Sequence, residues 1–149
     1  MSSSISIRIC ETEEQILQAF PVMKQLRPQL VEPNFVQAIR QQEKESYRLV
    51  GLVVVANDAS VTVAVAGVRI MTNLAFGKIL YVDDLVVDEH QRSKGYGSKL
   101  FQWLLEYAKA NGCGRLHLDS GVQRHGAHRF YLSDPQKMII ACHHFCREV

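Results

Sequence analysis

The sequence predicts a single domain of the α/β class, more specifically of the α+β type. With 149 residues, of which 47% are hydrophobic, the chain is long enough for one well-formed core and short for two. Segments 49–56 and 61–71 are rich in valine and lie on either side of a polar turn, which predicts a strand hairpin. Segment 100–108 repeats its apolar residues at helical spacing. We therefore expect residues 1–149 to form one domain of mixed strands and helices.

A strand and a helix are predicted at the N-terminus. Ser4–Cys10 alternates apolar and polar side chains, as a half-buried strand does. Thr12 and Gln15 have the spacing of a capping box, in which each side chain accepts a hydrogen bond from the other residue's backbone amide. A helix is therefore expected to begin at Thr12.

Prolines divide the next segment. A proline inside a helix removes one backbone donor and crowds the preceding turn, so Pro21 and Pro28 predict a broken or second short helix over residues 22–30. Proline is favoured in the first turn of a helix. Another helix is therefore expected to begin near Pro33 and to run to about Lys44.

Three strands are predicted in the middle of the chain. Leu49–Ala56 is strongly apolar, Asn57–Ser60 is a polar turn, and Val61–Met71 returns beside the first strand as a hairpin. Residues 72–77 then turn into a third strand, Ile79–Val87, which is rich in branched apolar residues.

The C-terminal half is predicted to contain two helices and two strands. Gly112 ends the amphipathic helix that includes residues 100–108. Arg115–Asp119 follows as a short strand, Arg124–Leu132 as a short helix, and Met138–Cys146 as a last apolar strand.

The composition argues against several functional classes. The chain has 17 Lys and Arg residues against 15 Asp and Glu residues, for a net charge of +2, and no basic block. Nucleic acid is therefore not expected as a partner. The polar N-terminus lacks the pattern of a signal peptide, and no apolar stretch approaches the roughly 20 residues of a membrane span. We expect a cytoplasmic protein without a membrane partner.

The cysteines predict neither a disulfide framework nor a metal site. Cys10, Cys113, Cys142 and Cys146 are scattered without a Cys-x-x-Cys pair, so reduced thiols are expected. The segment 142–146 also contains two histidines, but adjacent residues of a strand point to opposite faces and do not converge on one ion.

A glycine-containing basic loop connects the strand at 79–87 to the amphipathic helix. Backbone amides at a helix start lack partners within the helix, and the helix dipole adds about half a positive charge there, so a phosphate is a suitable ligand. Gly95 and Gly97 allow the backbone to come close, while Arg92 and Lys94 add positive charge. The loop matches neither a Gly-x-x-x-x-Gly-Lys-Ser/Thr phosphate loop nor a three-glycine dinucleotide fingerprint.

The pattern Arg92-x-x-Gly95-x-Gly97, preceded by the strand ending 83–87, resembles the acyl-CoA-binding motif of the GNAT superfamily of N-acetyltransferases. The resemblance covers nearly the whole chain. It implies a mixed, mostly antiparallel central sheet of six to seven strands flanked by about four helices. It also implies acetyl-CoA as co-substrate and direct attack by an amine in a ternary complex.

The resemblance also implies which residues bind acetyl-CoA. The strand before the loop presents backbone groups to the pantetheine arm and to the thioester carbonyl, and the loop amides receive the pyrophosphate. Arg124 stands where many members of the family have an asparagine that contacts the pantetheine, and is expected instead to reach a CoA phosphate or an acidic substrate. The cofactor-binding residues implied are Leu85, Val86, Val87, Arg92, Ser93, Lys94, Gly95, Tyr96, Gly97, Ser98 and Arg124.

Three residues are candidates for catalysis. Tyr131 belongs to an Ala-x-x-Phe-Tyr pattern in which, by the resemblance, a tyrosine near the cofactor sulfur acts as general acid; its alternative role is packing in the core. Asp83 and Asp84 are candidates for the base or amine anchor. Because adjacent strand residues point to opposite faces, only one of them is expected to face the amine. Asp83 is favoured, and a structural role as a capping carboxylate is the alternative for each.

A water chain to a nearby polar side chain is a third option for the base. His117, Asp119, Ser120 and His125 flank the same region.

The acceptor stays open at this point. A small-molecule amine is the first expectation, a protein or peptide amine is the second, and a non-catalytic acyl-CoA-binding module is the third. The apolar run Met138–Cys142 also suggests a homodimer formed through the C-terminal strand.

Overall fold

The computed structural model describes residues 2–149 and shows five strands and four helices among them. The elements are, in chain order, β1 Ser4–Ile9, α1 Glu13–Leu26, α2 Glu32–Glu43, β2 Tyr47–Ala56, β3 Ala59–Asn73, β4 Gly77–Val87, a short 3-10 turn Glu89–Gln91, α3 Tyr96–Ala110, β5 Arg115–Leu118 and α4 His125–Leu132. The predicted α+β class is therefore confirmed. No helix within residues 2–149 has the length and apolar character needed to cross a membrane.

The sheet has the order β1-β2-β3-β4-β5, with antiparallel pairing as far as β4 and parallel pairing between β4 and β5. The sheet has five strands instead of the expected six to seven, because the strand predicted at Met138–Cys146 is not formed. Residues 138–149 form no strand, and Ile139 and Ile140 are 81% and 78% exposed. The apolar run favours a strand, but a strand also needs a neighbour for its backbone groups. Residues 138–149 form no backbone pairing with any strand of the sheet within the described chain.

Helix α1 begins as predicted and ends later than predicted. The capping box is present, with the Gln15 amide donating to Thr12 Oγ1 at 3.1 Å and the Thr12 amide donating to Gln15 Oε1 at 3.2 Å. Pro21 lies inside the helix, so the predicted break at this residue is wrong. The buried side chains of Val22 and Met23 continue the apolar face beyond the proline, and this packing outweighs the local cost. The helix ends just before Pro28.

Helices cover both faces of the sheet. Helices α1 and α2 bury Phe20 and Phe35 against one face, where Tyr47 and Leu49 of β2 meet them. Helix α3 packs on the opposite face through side chains such as Leu104. Alternate residues of the central strands therefore face two different apolar layers, and β2 to β4 read as nearly continuous apolar runs.

Strand β4 has two irregularities at the same place. Gly67 pairs with Asp84 and Val68 pairs with Val82, so Asp83 is an extra residue in a β-bulge. Strand β5 pairs with β4 only from Ile79 to Val82. Beyond the bulge, residues 84–87 are paired with β3 on one side and have no strand on the other side within the described chain. The bulge and the open edge position the site described next.

Candidate active site

A cavity of about 530 Å³ lies between helices α1 and α2 and strands β2 to β4. Its charged lining residues are two arginines and two aspartates, namely Arg27, Arg69, Asp83 and Asp84. The remaining lining residues are Met23, Gln29, Leu30, Phe35, Ala38, Ile39, Gln42, Tyr47, Met71 and Tyr81. The volume is in the range of about 300–1,000 Å³ that is usual for small-molecule sites.

Asp84 is held by two partners. Arg27 Nε donates to Asp84 Oδ1 at 2.9 Å, and the Tyr47 hydroxyl donates to Asp84 Oδ2 at 2.8 Å. The Asp84 side chain is 13% exposed. Burial and the adjacent carboxylate raise the pKa of Tyr47 well above its ordinary value, so its hydroxyl remains a donor at neutral pH. Both oxygens of Asp84 are therefore occupied.

Gly67 makes the contact between Tyr47 and Asp84 possible. A Cβ atom at position 67 would overlap the Tyr47 hydroxyl and come within 2.5 Å of Asp84 Oδ2. A glycine in the interior of a strand often marks such a close approach. The buried hydrogen bond thus occupies the space that any side chain at position 67 would need.

Asp83 keeps one oxygen free. Arg69 Nε donates to Asp83 Oδ2 at 2.8 Å, while Asp83 Oδ1 has no hydrogen-bond partner within residues 2–149. Burial raises the pKa of Asp83, and the hydrogen bond and charge of Arg69 oppose that rise. The expectation that Asp83 and Asp84 point to opposite sides is not met, because both line the cavity. The bulge interrupts the regular alternation of the strand.

Every nitrogen of Arg69 donates a hydrogen bond within the protein. In addition to Asp83, it donates through Nη1 to the Glu45 carbonyl at 3.0 Å and through Nη2 to Gln42 Oε1 at 2.7 Å. Its guanidinium also lies 5.2 Å from the centre of the Tyr47 ring. Arg69 therefore positions Asp83, and each of its three nitrogens already donates one hydrogen bond within the protein.

Tyr81 connects the cavity to the end of β5. Its hydroxyl donates to Asp119 Oδ2, and burial together with this carboxylate raises its pKa. Among the flanking residues considered from the sequence, Asp119 thus contacts a residue of the cavity. His117 is opposite Tyr81 in the strand register. His144 Nδ1 from the C-terminal segment lies 3.5 Å from Asp119 Oδ2.

The loop before α3 presents free backbone amides. Gly95 is the N-cap with φ +80°, and no side chain caps the helix. The first helical hydrogen bond runs from the Lys99 amide to the Gly95 carbonyl at 3.1 Å. The amides of Tyr96, Gly97 and Ser98 therefore have no acceptor within residues 2–149, and no acidic residue lies in the first turn.

The side chains of this loop contribute less than its backbone. Lys94 Nζ donates to Gln91 Oε1 at 2.7 Å, and Ser98 Oγ accepts from Gln136 Nε2 at 2.7 Å. Ser93 has a positive φ of 65° and Arg92 is exposed. The free amides and the neighbouring cations fit a pyrophosphate, which supports the prediction that this loop is an anion site.

Helix α4 packs against the start of α3. A Cβ atom at Gly97 would lie 3.3 Å from the Phe130 ring and 3.4 Å from Val87 Cγ2, so the absence of a side chain there allows the close packing. Tyr131 is only 8% exposed, and burial raises its pKa while the charge of Arg124 opposes the rise. Tyr131 does not line the cavity that contains Asp83 and Asp84. The structure thus separates Tyr131 from the two aspartates.

Leu85, Val86 and Val87 form the open edge of β4 between the cavity and the loop. They pair with Ala66, Val65 and Ala64 of β3 and have no partner strand on the β5 side. An extended ligand can add to such an edge through backbone hydrogen bonds.

Several residues of the cavity were not identified as candidates from the sequence, among them Tyr47, Arg69 and Tyr81. Arg69 carried a usable signal, since it is a charged residue in the otherwise apolar run Val63–Ile70. Arg27 and Tyr47 lie at the end of a helix and the start of a strand, where polar residues are common. Their sequence positions carry no such signal.

No group of three or more His, Cys, Asp and Glu side chains within residues 2–149 is arranged to hold a metal ion. The four cysteines are free thiols, of which Cys10 is buried and Cys142 and Cys146 are exposed.

Comparison with known proteins agrees with the geometry. The sequence model of the acetyltransferase (GNAT) family matches residues 14–133. An uncharacterized N-acetyltransferase of Bacillus subtilis, YhdJ, is 32% identical over 128 residues, which cover 85% of this chain and 87% of that protein.

Two solved structures share the fold over almost the full length. A GNAT family acetyltransferase from Staphylococcus aureus superposes with a TM-score of 0.77 at 17% identity, covering 98% of this chain and 99% of that chain. An aminoglycoside N-acetyltransferase, AAC(6')-Iy in complex with CoA, superposes with a TM-score of 0.78 at 13% identity, covering 100% and 98%. At these identities the two structures establish the fold alone.

Proposed function

Because the chain belongs to the GNAT acetyltransferase family, we propose that it transfers an acetyl group from acetyl-CoA to a primary amine of a small molecule, by direct attack in a ternary complex. Membership of the family makes the protein an acyltransferase. The proposal depends above all on strand β4. This one strand carries the two aspartates of the cavity, then the open edge, and then leads into the loop with free amides.

Acetyl-CoA supplies the activated acetyl group. The amides of Tyr96, Gly97 and Ser98 would hold its pyrophosphate, and the open edge at Leu85–Val87 would hold its pantetheine arm. Arg124 is the N-cap residue of helix α4, and its charge opposes the rise in the pKa of Tyr131; it is proposed to contact a phosphate of acetyl-CoA or an acidic substrate.

The amine nitrogen forms a bond to the thioester carbonyl carbon, and the carbon–sulfur bond breaks. The amine loses one proton and the departing thiolate gains one. Asp83 is proposed as the group that receives the proton of the amine, directly or through water, because it has a free oxygen and a pKa raised by burial. Asp84, with both oxygens engaged, is proposed to hold Arg27 and Tyr47 in place and so to fix the shape of the site.

Tyr131 is proposed to supply the proton to the thiolate. Burial raises its pKa above the ordinary value, so the phenol is protonated at neutral pH. Transfer from a phenol to a thiolate whose acid has a pKa of about 8.5 is uphill, so the proton must move as the carbon–sulfur bond breaks. Tyr131 lies outside the cavity that contains Asp83. This separation suits two different proton transfers, one from the amine to Asp83 and one from Tyr131 to the thiolate.

The size of the cavity favours a small acceptor over a peptide. A volume of about 530 Å³ accommodates a molecule of metabolite size, whereas a peptide acceptor needs a longer groove. A non-catalytic acyl-CoA-binding module is the remaining alternative, and it does not account for a half-buried carboxyl that has a raised pKa and a free oxygen.

The cytoplasm is the proposed compartment, since four free cysteines, two of them exposed, suit reducing surroundings. A homodimer is also proposed. The exposed apolar residues of segment 138–149 supply the surface that a second copy would cover.

Acetyl-CoA binding and acetyl transfer should be measured separately. Calorimetry with acetyl-CoA should give binding, and a thiol-release assay with a panel of primary amines should give turnover. Tyr131→Phe and Asp83→Asn should each lower kcat by about 10²-fold or more, while acetyl-CoA still binds. If both variants keep full turnover, the catalytic assignments are wrong. If acetyl-CoA binds and no amine is acetylated, the binding module becomes the better interpretation.

A further inference from the structure

The charged residues that line the cavity argue against one class of acceptor, the polycations. Its charged lining residues are two arginines and two aspartates, so their formal charges cancel. A polycationic acceptor, such as a polyamine or an aminoglycoside, is bound best by a surplus of carboxylates. The cavity has no such surplus among its lining residues.

Most of the polar atoms of these four side chains are already engaged. Arg69 uses all three of its nitrogens, on Asp83, Glu45 and Gln42. Asp84 uses both of its oxygens. These groups are therefore part of the wall of the cavity.

Two groups remain available, one of each charge. Arg27 donates through Nε to Asp84 and through Nη2 to the Asp83 carbonyl at 2.9 Å, which leaves Nη1 without a partner in residues 2–149. The Arg27 side chain is 43% exposed, compared with 20% for Arg69. Asp83 Oδ1 is the free acceptor. Because Arg27 contacts the backbone of Asp83, the free cation and the free carboxylate oxygen lie within reach of one small molecule.

We propose that the acceptor is a compact molecule that carries a primary amine and, a few bonds away, a carboxylate or phosphate group, with Arg27 binding the anion and Asp83 the amine. This inference rests on the proposed acetyl transfer in this cavity. Arginine suits the anion because its planar guanidinium pairs with carboxylate and phosphate oxygens. Gln29 and Leu30, which follow Arg27 in the chain, line the same part of the cavity, while Met23 and Phe35 offer apolar contact.

The test compares matched acceptors that differ only in the anionic group. Leucine is paired with leucinamide, and phosphoethanolamine with ethanolamine, so the two pairs also distinguish carboxylate from phosphate. Kanamycin serves as the polycation. For each acceptor, kcat/KM of the wild-type protein is divided by that of Arg27→Gln, and this ratio cancels the intrinsic basicity of the amine.

The ratio should be about 10-fold or larger for the anionic member of the preferred pair, as expected for one lost charge-assisted hydrogen bond. It should stay within about threefold for the neutral member. Arg27→Lys should keep part of the preference because it keeps the charge. Arg48→Gln, which removes the same charge from an exposed arginine outside the cavity lining, should give ratios near one for every acceptor.

Three outcomes would overturn the inference. Equal loss for anionic and neutral acceptors would mean that Arg27 acts only by holding Asp84. Preference of the wild-type protein for neutral amines or kanamycin would mean that Arg27 does not bind an anionic group of the acceptor. The measured acetyl transfer would still support the proposed function. Binding of acetyl-CoA without transfer to any amine would contradict both. If Arg27→Gln does not fold, the wild-type kcat/KM values, each divided by the fraction of unprotonated amine at the assay pH, decide between anionic amines and the other acceptors.

Discussion

Gly67 shows how the absence of a Cβ atom determines the geometry of the cavity that contains Asp83 and Asp84. The hydrogen bond between Tyr47 and Asp84 occupies the volume where a Cβ atom would stand. Cores tolerate an added methyl group poorly when the neighbouring atoms cannot move. Here the neighbours are a buried hydroxyl and a carboxylate held by Arg27, so any residue other than glycine should break the pair.

Gly67→Ala should lower the free energy of unfolding by about 1–3 kcal/mol and should weaken acetyl transfer. For a chain of this size, that corresponds to a fall in Tm of several degrees, at roughly 2–4 °C for each kcal/mol. Thermal melting and thiol release measure the two effects. Gly114→Ala is the matched control, because a Cβ atom at Gly114 would meet no heavy atom within 4 Å. Equal Tm values for the two variants would contradict the tight contact at Gly67.

The pKa of Asp83 depends on Arg69. Because burial raises this pKa above 3.8 and Arg69 opposes the rise, Arg69→Gln should raise it further. Carbon-13 NMR of the Asp83 carboxyl across a pH titration measures it directly. Arg48→Gln should leave it unchanged, and a fall in the Arg69 variant would exclude the ion pair.

The raised pKa of Asp83 also determines whether its contribution to the stability of the fold increases or decreases with pH. In the pH range between the unfolded and folded values, the folded protein binds more protons at Asp83 than the unfolded chain does. The contribution of Asp83 to stability is therefore fully present below pH 3.8 and is lost as the pH rises through the folded pKa.

Asp83 and Asp84 could be selected from the sequence because an acidic pair interrupts an apolar strand. The side chains that form hydrogen bonds with these two aspartates could not be selected in this way. Arg27, Tyr47 and Arg69 reach them from three other segments, between 14 and 57 residues away, and such pairing depends on the strand register. The bulge that brings both carboxylates to one cavity is a feature of that register and leaves no local sequence signal here.

At the scale of elements, helix α3 has glycines with positive φ at both of its ends. Gly95 precedes its first turn with φ +80°, and Gly112 follows its last turn with φ +74°. An alanine is strained in either position, at a cost of roughly 1 kcal/mol. The two ends differ in what lies in front of them, since Gly95 faces open space beside the free amides and Gly112 faces the Lys78 side chain.

Gly95→Ala should weaken acetyl-CoA binding by about 10-fold or more, because its Cβ atom and the strained backbone both disturb the amides that would hold the pyrophosphate. Gly112→Ala should show a similar loss of Tm and unchanged acetyl-CoA affinity. Calorimetry measures the affinity and thermal melting measures the strain. If both variants bind acetyl-CoA as tightly as the wild-type protein does, the loop is not the pyrophosphate site.

The elements that the sequence predicted correctly are those with strong local patterns. The capping box at Thr12 and the hairpin of β2 and β3 are confirmed. The break at Pro21 was wrong because burial of Val22 and Met23 is a tertiary effect, which local propensity does not include. The strand at Met138–Cys146 was wrong because a strand also requires a neighbour.

At the scale of the whole molecule, the main unpaired feature is the C-terminal segment. Ile139, Ile140 and Phe145 are 81%, 78% and 90% exposed, and β5 has an unpaired edge within the described chain. An exposed apolar segment beside an open strand edge favours association with a second copy. The strand order of the sheet, which creates this edge, could not be derived from the residues alone.

Replacing Ile139 and Ile140 together by lysine should therefore lower the fraction of dimer, because two charges would have to be buried in the interface. Light scattering during size-exclusion chromatography measures the mass. Leu74→Lys, at the fully exposed tip between β3 and β4, is the matched control and should leave the mass unchanged. A wild-type protein that stays monomeric at every concentration would contradict the dimer.

The open edge of β4 has a consequence for the lifetime of the protein in a cell. Under the proposed function, acetyl-CoA takes the place of a missing strand beside residues 85–87. Ligand that binds only the folded chain lowers the unfolded fraction that proteases can degrade. Under the proposed function, the abundance of this protein would then rise and fall with the concentration of acetyl-CoA, without any change in its rate of synthesis.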